Sequence, residues 1–358
     1  MFEQNREWQQ PILLENRRYI GSKTKLAEWI MQTISGATID VGSFCDLFAG
    51  TGIISKYALR YFPKIIINDF LISNYVIYYA FFAPYSWDKG KIYEIINGYN
   101  SLTADALDNN YFSEHFGDKY YEYNTAKKIG FIREDIECRK HTLTYKEYSI
   151  LLTSLLYSID KIANTVGHFE AYIKKPIKPL PFLIRPIEAK NYPQVEIFQS
   201  DANNLIRKIE ADLVYIDPPY NSRQYSRFYH LYENLVKWEK PELFGTALKP
   251  KEENMSLYCT TKAQDAFEDL VKNVRAKYIV VSYNNTYKSK SSASKNKIGL
   301  EDMISILEKC GETQVFEHSH KYFNTGKTDF SNHKEFLFLT KIDEEKRSQS
   351  FASLLCRR

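Results

Sequence analysis

The sequence of 358 residues predicts an α/β fold: an open, mostly parallel sheet whose strand–helix alternation is interrupted by a long insertion. Short apolar runs alternate with helical patterns before residue 84 and again after residue 193, which is typical of parallel strands covered by helices. Between these parts the alternation gives way to long polar helical stretches and a basic run with several prolines over 174–193. Glycines follow one predicted strand and prolines follow another, at the edge where open α/β sheets bind ligands.

Apolar periodicity predicts seven strands and several helices. A strand begins at Phe44, and further strands are predicted at 64–68, 195–199, 212–216, 278–282, 313–318 and 335–340. Helices are predicted at 26–34, 53–61, 73–82, 135–158, 228–238 and 300–309. Ser22 is the expected cap of the first of these helices.

The composition is ordinary for a globular protein, with 44% hydrophobic and 26% charged residues. The formal net charge of +4 is unevenly distributed along the chain. Residues 127–190 carry 12 Lys and Arg against 7 Asp and Glu, so that the excess positive charge lies in this segment. We therefore expect the segment to meet phosphates.

Cysteine usage and hydropathy indicate a compartment. The five cysteines contain no C-x-x-C pair, which argues against a disulfide framework or a zinc site and for a reducing environment. The N-terminus has no apolar signal region, and no stretch approaches the length of a membrane span. These features predict a cytoplasmic protein without a metal site.

The tetrapeptide Asp217, Pro218, Pro219 and Tyr220 follows the apolar run 213–216. The first proline ends the strand because it has no N–H to donate, and two prolines hold an extended turn. This turn presents a carboxylate, free backbone carbonyls and an aromatic ring, which together suit a planar amine. The alternative is a Pro-Pro loop with an incidental acid and tyrosine.

A second candidate site is the glycine turn of Gly50, Thr51 and Gly52, between a strand and a helix. Such glycines admit a ligand against the backbone, and the following helix directs its N–H groups at it. Asp69 ends the next strand, where a carboxylate can accept hydrogen bonds from a ribose diol. Asp69 could equally cap a helix, and the two roles do not exclude each other.

These blocks, in this order, resemble the Dam-like DNA adenine-N6 methyltransferases of the alpha motif order. The resemblance covers most of 17–69 and 195–282. It implies a Rossmann-like, seven-stranded sheet that binds S-adenosylmethionine (SAM), with an inserted, largely helical target-recognition domain. The chain departs from the family at Tyr19, where some members carry tryptophan, and in the extension 221–225, which is longer than in the simplest members.

The resemblance also implies roles for individual residues. The catalytic residues it implies are Asp217, Pro218, Pro219 and Tyr220. The residues it implies for cofactor binding are Tyr19, Lys23, Asp46, Phe48, Ala49, Gly50, Thr51, Gly52, Asp69, Asp201 and Asp217. The implied domains are a catalytic SAM-binding domain in two parts, 1–83 and 194–345, a target-recognition domain at 84–193, and a tail at 346–358.

The function that the resemblance implies is methyl transfer from SAM to the N6 amine of adenine, flipped out of duplex DNA. The chain would be the modification half of a restriction–modification system, with any cognate restriction endonuclease acting separately. Three alternatives stay open: an RNA adenine methyltransferase, a cytosine-N4 DNA methyltransferase, and a non-catalytic DNA-binding protein. In cytosine-N4 enzymes Ser is commoner at the position of Asp217. Intact glycines, Asp69 and Asp217 argue against the non-catalytic alternative.

Overall fold

A computed structural model describes residues 11–219, 224–284, 298–319, 334–343 and 345. Seven strands in these residues form one sheet in the order β3-β2-β1-β4-β5-β7-β6. The strands are β1 (Ser43–Asp46), β2 (Lys64–Asp69), β3 (Val195–Gln199), β4 (Leu213–Ile216), β5 (Tyr278–Asn284), β6 (Gly311–Ser319) and β7 (Lys334–Ile342). β1 to β5 are parallel, and β7 runs antiparallel between β5 and β6. The predicted α/β fold with a seven-stranded sheet is confirmed.

The strand order reverses between β1 and β4, which are direct neighbours with Phe44 opposite Leu213. At such a point the loops after the two strands diverge and leave a crevice beyond their carboxyl ends. The predicted glycine turn follows β1 and the Asp-Pro-Pro turn follows β4. The sheet therefore brings both candidate sites to the same crevice.

Helices cover both faces of the sheet. Those described are α1 (Ala27–Ala37), α2 (Ile53–Ala58), α3 (Ile72–Phe82), α4 (Lys89–Ser101), α5 (Tyr111–Phe116), α6 (Tyr123–Cys138), α7 (Tyr145–Ile162), α8 (Ala202–Ile206), α9 (Tyr225–Phe228), α10 (His230–Lys237), α11 (Ala263–Lys272) and α12 (Leu300–Glu308). Short 3₁₀ turns occur at Leu14–Asn16, Ala104–Ala106, Arg139–Thr142 and Leu257–Cys259. In the part of the chain covered by the structure, no helix is both long and apolar enough to cross a bilayer.

The expected cap of α1 is wrong. The helix begins at Ala27, and its N-cap residue Leu26 makes no side-chain hydrogen bond. Ser22 lies four residues upstream of that cap, and its hydroxyl instead pairs with Thr24 Oγ1 at 2.8 Å. The apolar spacing located the helix correctly, but the residues before Leu26 form turns that place Ser22 and Lys23 beside the cleft.

The single helix predicted at 135–158 is also wrong, because α6 ends at Cys138 and α7 starts at Tyr145. Thr144 caps α7: its side chain accepts from the Glu147 N–H, and the Glu147 carboxylate accepts from the Thr144 N–H. This reciprocal pair is a capping box, a signal present in the sequence. Despite its polar sequence α7 is not solvated, since every residue from Lys146 to Asp160 is buried.

Two hydrophobic clusters lie on opposite faces of the sheet. One contains Phe44 and Ile65 together with Tyr78 of α3, Ile129 of α6 and Leu151 of α7. The other contains Cys45, the next residue of β1, because successive side chains of a strand point to opposite faces. The first cluster extends without interruption from the sheet into the inserted helices. The role of 84–193 as a separate recognition domain stays a prediction, as do the domain boundaries.

Candidate active site

A cleft of about 1080 Å³, part of it open to solvent, lies beyond the carboxyl ends of β1, β2 and β4. The predicted site residues that line it are Tyr19, Lys23, Asp46, Phe48, Ala49, Gly50, Thr51, Asp69, Asp201, Asp217, Pro218 and Pro219. Gly52 does not line the cleft. Tyr220 and the predicted tail at 346–358 lie outside the described residues.

The glycine turn after β1 depends on backbone angles that favour glycine. Gly50 and Gly52 have φ of +54° and +76°, in the left-handed region. A Cβ on Gly52 would lie 3.0 Å from Cε1 of Tyr78, so Gly52 permits close packing of α3 below the turn. The Tyr78 hydroxyl donates to the Gly50 carbonyl at 2.7 Å. The hydrogen bond from Tyr78 therefore fixes the Gly50 carbonyl and with it the position of the turn at the edge of the cleft.

Asp69 ties this turn to the start of α3. Its Oδ2 accepts from the Gly50 N–H and its Oδ1 from the Leu71 N–H, both at 2.9 Å. Burial raises the pKa of Asp69, although these two hydrogen bonds oppose the rise. The carboxylate thus supports the chain around the helix start and still faces the cleft.

Asp46, at the end of β1, is almost wholly buried. Its Oδ2 accepts from the Ser55 N–H at 3.1 Å and from the Ser55 hydroxyl at 2.6 Å. Its Oδ1 has no hydrogen-bond partner among the described residues. Burial raises the pKa of Asp46 to about 7, against the hydrogen bonds from Ser55 and with a further contribution from the negative charge of Asp217. A buried acceptor without a protein partner is a site where a water or a bound molecule can donate a hydrogen bond.

Lys23 lies between two carboxylates. Its ammonium is 3.2 Å from Asp217 Oδ1 and 2.7 Å from Glu335 Oε1, and the Ser282 hydroxyl donates to the same Glu335 oxygen at 2.8 Å. Burial disfavours the charged amine, but Asp217 and Glu335 outweigh it and raise the pKa of Lys23 above its usual value. Sequence reasoning missed Glu335, which comes from β7 and faces Asn284 across the antiparallel ladder.

Tyr19 forms an aromatic wall with residues that sequence reasoning also missed. Its ring stacks on Tyr229 at 4.7 Å between centroids and on Tyr225 at 5.5 Å. The guanidinium carbon of buried Arg17 lies 4.9 Å from the Tyr19 centroid. The Tyr229 hydroxyl accepts from the Ile20 N–H at 2.9 Å. These contacts join the N-terminal segment to the chain that follows the Asp-Pro-Pro turn.

The far wall of the cleft is built around β3. Asp201 Oδ1 accepts from the Asn204 N–H at 3.0 Å and so caps α8. Buried Asn68 donates to the carbonyls of Leu47 and Ser200 at 3.0 and 3.1 Å. Asn68 therefore joins the loops after β1 and β3. Sequence reasoning missed this role because Asn68 lies within the predicted strand β2.

Comparison with known proteins identifies the family. Residues 19–287 match the family described as D12 class N6 adenine-specific DNA methyltransferase. The chain belongs to this family. The match begins at Tyr19, and it contains the glycine turn, Asp69 and the Asp-Pro-Pro turn that line the cleft.

Relatives of this D12 class chain include two that it matches over nearly their whole length. It is 33% identical to the type II methyltransferase M.CviAII of Paramecium bursaria Chlorella virus 1, over 91% of this chain and 98% of that protein. It is 30% identical to the type II methyltransferase M.NlaIII of Neisseria lactamica, over 88% and 95%. The modification methylase LlaI of Lactococcus lactis subsp. lactis is 33% identical over 75% of this chain, which spans 46% of that protein.

The basic excess at 127–190 is only partly a surface feature. Lys146 is buried and donates to the carbonyls of Ala83 and Lys190 at 2.8 and 2.9 Å. Arg133 is buried and donates to backbone carbonyls at the end of α10. Lys174 and Lys175, by contrast, are exposed on the extended segment that follows α7. The side chains that remain available for phosphates are therefore fewer than the charge count indicates.

Proposed function

We propose that this D12 class enzyme transfers a methyl group from SAM to the N6 amine of adenine within a short duplex sequence, with Asp217 and the Pro218 carbonyl as the acceptors for that amine. The observation that carries the proposal is the position of Asp217 in the cleft. It stands at the carboxyl end of β4, opposite the glycine turn after β1, in a family of N6-adenine DNA methyltransferases. Because β1 and β4 are adjacent, SAM at the turn after β1 and the target base at the turn after β4 would lie side by side.

The residues of the cleft fit SAM. Gly50, in its left-handed conformation, presents backbone to a ligand without a side chain in the way. The unpartnered Oδ1 of Asp46 can accept a hydrogen bond from an ammonium group, and Asp69 can accept from ribose hydroxyls. Tyr19, Phe48 and Asp201 would complete the walls. When bound, SAM supplies an electrophilic methyl group on a positively charged sulfur.

The chain's own contribution to the reaction is to make the adenine amine a better nucleophile. The lone pair of that amine is conjugated into the ring, and it becomes available only as positive charge develops on the nitrogen. Acceptors fixed in advance stabilise this charge without reorganisation. The Asp217 carboxylate and the Pro218 carbonyl lie on a turn that two prolines keep extended, so both can accept the amine hydrogens. Holding the base beside the methyl group supplies much of the remaining acceleration.

Tyr220 is proposed to stack on the adenine ring, because its place in the tetrapeptide directly follows the two prolines. An adenine paired inside a duplex cannot reach Asp217, so it must leave the helix. Stacking on an aromatic ring offsets part of the cost of breaking its base pair and its stacking on neighbouring bases.

Target recognition is proposed to involve the inserted segment 84–193. Its exposed part after α7 combines Lys174 and Lys175 with the apolar side chains of Val166 and Leu180, which are 74% and 54% exposed. Large apolar side chains at an exposed, basic surface fit contact with nucleic acid better than a purely solvated face. The names of the relatives, type II methyltransferase and modification methylase, support a role beside a separate restriction endonuclease.

Nucleoside analysis of DNA methylated by the purified chain tests this function. Digestion followed by mass spectrometry should show N6-methyladenine, and methylated cytosine alone, or methyl groups on RNA alone, would refute the proposal.

Asp217→Ala should abolish transfer even at saturating SAM. Tyr220→Phe should retain most activity, whereas Tyr220→Ala should lose about 1–3 kcal/mol of base contact. That loss should ease when the target adenine is mispaired, because less work is needed to extrude it.

A further inference from the structure

Glu335 and Asp217 compete for one buried ammonium group. The Lys23 side chain is 7% exposed, and those of Glu335 and Asp217 are 3% and 16% exposed. The ammonium lies nearer to Glu335, at 2.7 Å, than to Asp217, at 3.2 Å. The Ser282 hydroxyl holds the same Glu335 oxygen in place from the neighbouring strand. Glu335 is therefore the better anchored of the two carboxylates.

The balance of charges has a chemical consequence for Asp217. Away from bulk water, an ammonium paired with one carboxylate takes up much of the hydrogen-bonding capacity of that carboxylate. A second carboxylate divides the ammonium's attraction and leaves the group of three with a net charge of −1. The part of that charge that stays on Asp217 faces the cleft, where a developing positive charge would be stabilised by it.

We propose that Glu335 is a positioning residue for methyl transfer, which holds the Lys23 ammonium back from Asp217 and so keeps the Asp217 carboxylate available to the adenine amine. The proposal rests on the acceptor role proposed above for Asp217. Glu335 does not line the cleft, and its ion pair with Lys23 is the contact that links it to Asp217. A purely structural role, in which Glu335 merely neutralises a buried lysine, would affect stability but not the chemistry at Asp217.

Other titratable groups near Asp217 stay unchanged in the test. Asp46 at the end of β1, Tyr215 in β4 and Tyr225 in α9 all interact electrostatically with Asp217. Burial raises the pKa of both tyrosines well above their usual value, so they do not titrate near neutrality. Asp46, with a pKa of about 7, contributes to the pH profile of every variant. A shift between variants therefore reports on the group around Lys23.

The experiment measures single-turnover methylation against pH, with DNA and SAM at saturation, for Glu335→Gln, Lys23→Met and the double variant. Glu335→Gln should lower the rate about 10-fold at pH 8, a fraction of the 10²–10³-fold lost when an oxyanion donor is removed outright. It should also move the acid limb of the profile to lower pH, because Asp217 loses a repelling neighbour and gains the undivided ammonium. In the Lys23→Met background no ammonium is left to be held back, so Glu335→Gln should leave the rate unchanged. Only the smaller acid-limb shift that comes from the lost repulsion between the two carboxylates should remain.

Matched variants keep the result interpretable. Glu317→Gln removes another paired glutamate of the same β6–β7 hairpin, whose partner Lys334 is on the surface, and should leave rate and profile unchanged. Glu335→Asp keeps the charge but withdraws it by one methylene, and should shift the acid limb in the same direction by less. This variant decides the matter if Glu335→Gln does not fold.

Two results would overturn the proposal. One is a wild-type rate and acid limb in the Glu335 variants; the other is an equal loss of rate on Glu335→Gln in the wild-type and Lys23→Met backgrounds. Asp217→Ala, assayed on the same DNA, separates this failure from failure of the proposed function. An active Asp217→Ala enzyme would refute the acceptor role itself. An inactive one leaves that role intact, and the results for the Glu335 variants then bear on Glu335 alone.

Discussion

Protonation of His230 should destabilise the fold below neutral pH. This residue opens α10, is 1% exposed, and its Nε2 lies 2.8 Å from the Phe169 carbonyl. A carbonyl only accepts, so Nε2 carries the proton of the neutral ring and any second proton must enter at Nδ1. Nδ1 has no partner among the described residues. Burial, with smaller contributions from Lys249 and Arg227, lowers the pKa of His230 to about 3, against the hydrogen bond to Phe169.

The magnitude follows from linkage between protonation and folding. The usual pKa of histidine, 6.5, applies to the unfolded chain, and the folded value is depressed to about 3. Stability is then fully present above the unfolded value and is lost as the pH falls from there toward the folded value. Between pH 8 and pH 5, His230 becomes protonated in the unfolded state but not in the folded state. This difference lowers the free energy of unfolding by about 2 kcal/mol.

Urea denaturation of wild type and His230→Gln at several pH values between 8 and 5 measures this cost. Glutamine can still donate to the Phe169 carbonyl through its amide, but it does not titrate. The variant should lose stability at pH 8 for reasons of packing, and it should recover about 2 kcal/mol relative to wild type by pH 5. His141→Gln, at an exposed position, is the control and should track wild type at every pH. Parallel curves for wild type and His230→Gln would refute the assignment of a buried, neutral imidazole.

Three further predictions concern DNA, the glycine turn and the cofactor. Changing Lys174 and Lys175 together to Ala should weaken binding to all sequences, and lower the log–log salt slope by up to about 0.9 per lost phosphate contact; an unchanged slope in anisotropy titrations would contradict this. Gly52→Ala should lower the free energy of unfolding, measured by thermal denaturation, by about 1–2 kcal/mol because its φ is +76°. Gly36→Ala, in α1 with open space around it, should instead stabilise the protein. SAM affinity, measured by calorimetry, should fall as the pH drops below about 7 and Asp46 is neutralised; Asp46→Asn should abolish that dependence.

Strands such as β2, β4 and β5 were predictable because each contains a short apolar run closed by a polar or turn-forming residue. The predicted 195–199 agrees fully with β3, and 212–216 differs from β4 by one residue. In β4, burial on both faces demands continuous apolar sequence, so the signal there is strong, whereas the edge strand β3 is only partly buried. The turns after β1 and β4 could also be predicted, because glycines or prolines directly after a buried strand indicate a turn at the edge where ligands bind.

The insertion was harder to predict because its helices are stabilised by tertiary contacts that leave no local trace. Residues such as Tyr148, Ser149 and Thr153 gave 135–158 a polar helical pattern, yet every residue of α7 from Lys146 to Asp160 is buried. Buried Lys146 and Arg133 both donate to carbonyls from other parts of the chain, and Arg133 also pairs with Glu137 in its own helix. No local pattern distinguishes such residues from ones that bind phosphate, which is why net charge overstated the basic surface.

Glu335 was missed for a reason rooted in topology. Sequence reasoning searched the carboxyl ends of parallel strands, where ligands of open α/β sheets lie. Because β7 is antiparallel, its amino end shares that edge, and Glu335 is only its second residue. Pairing with Asn284, the last residue of β5, sets Glu335 at the height of the Asp-Pro-Pro turn, while Lys341 pairs with Tyr278 at the opposite edge. An acid at the start of an antiparallel strand within a mixed sheet is therefore as eligible for the site as one at the end of a parallel strand.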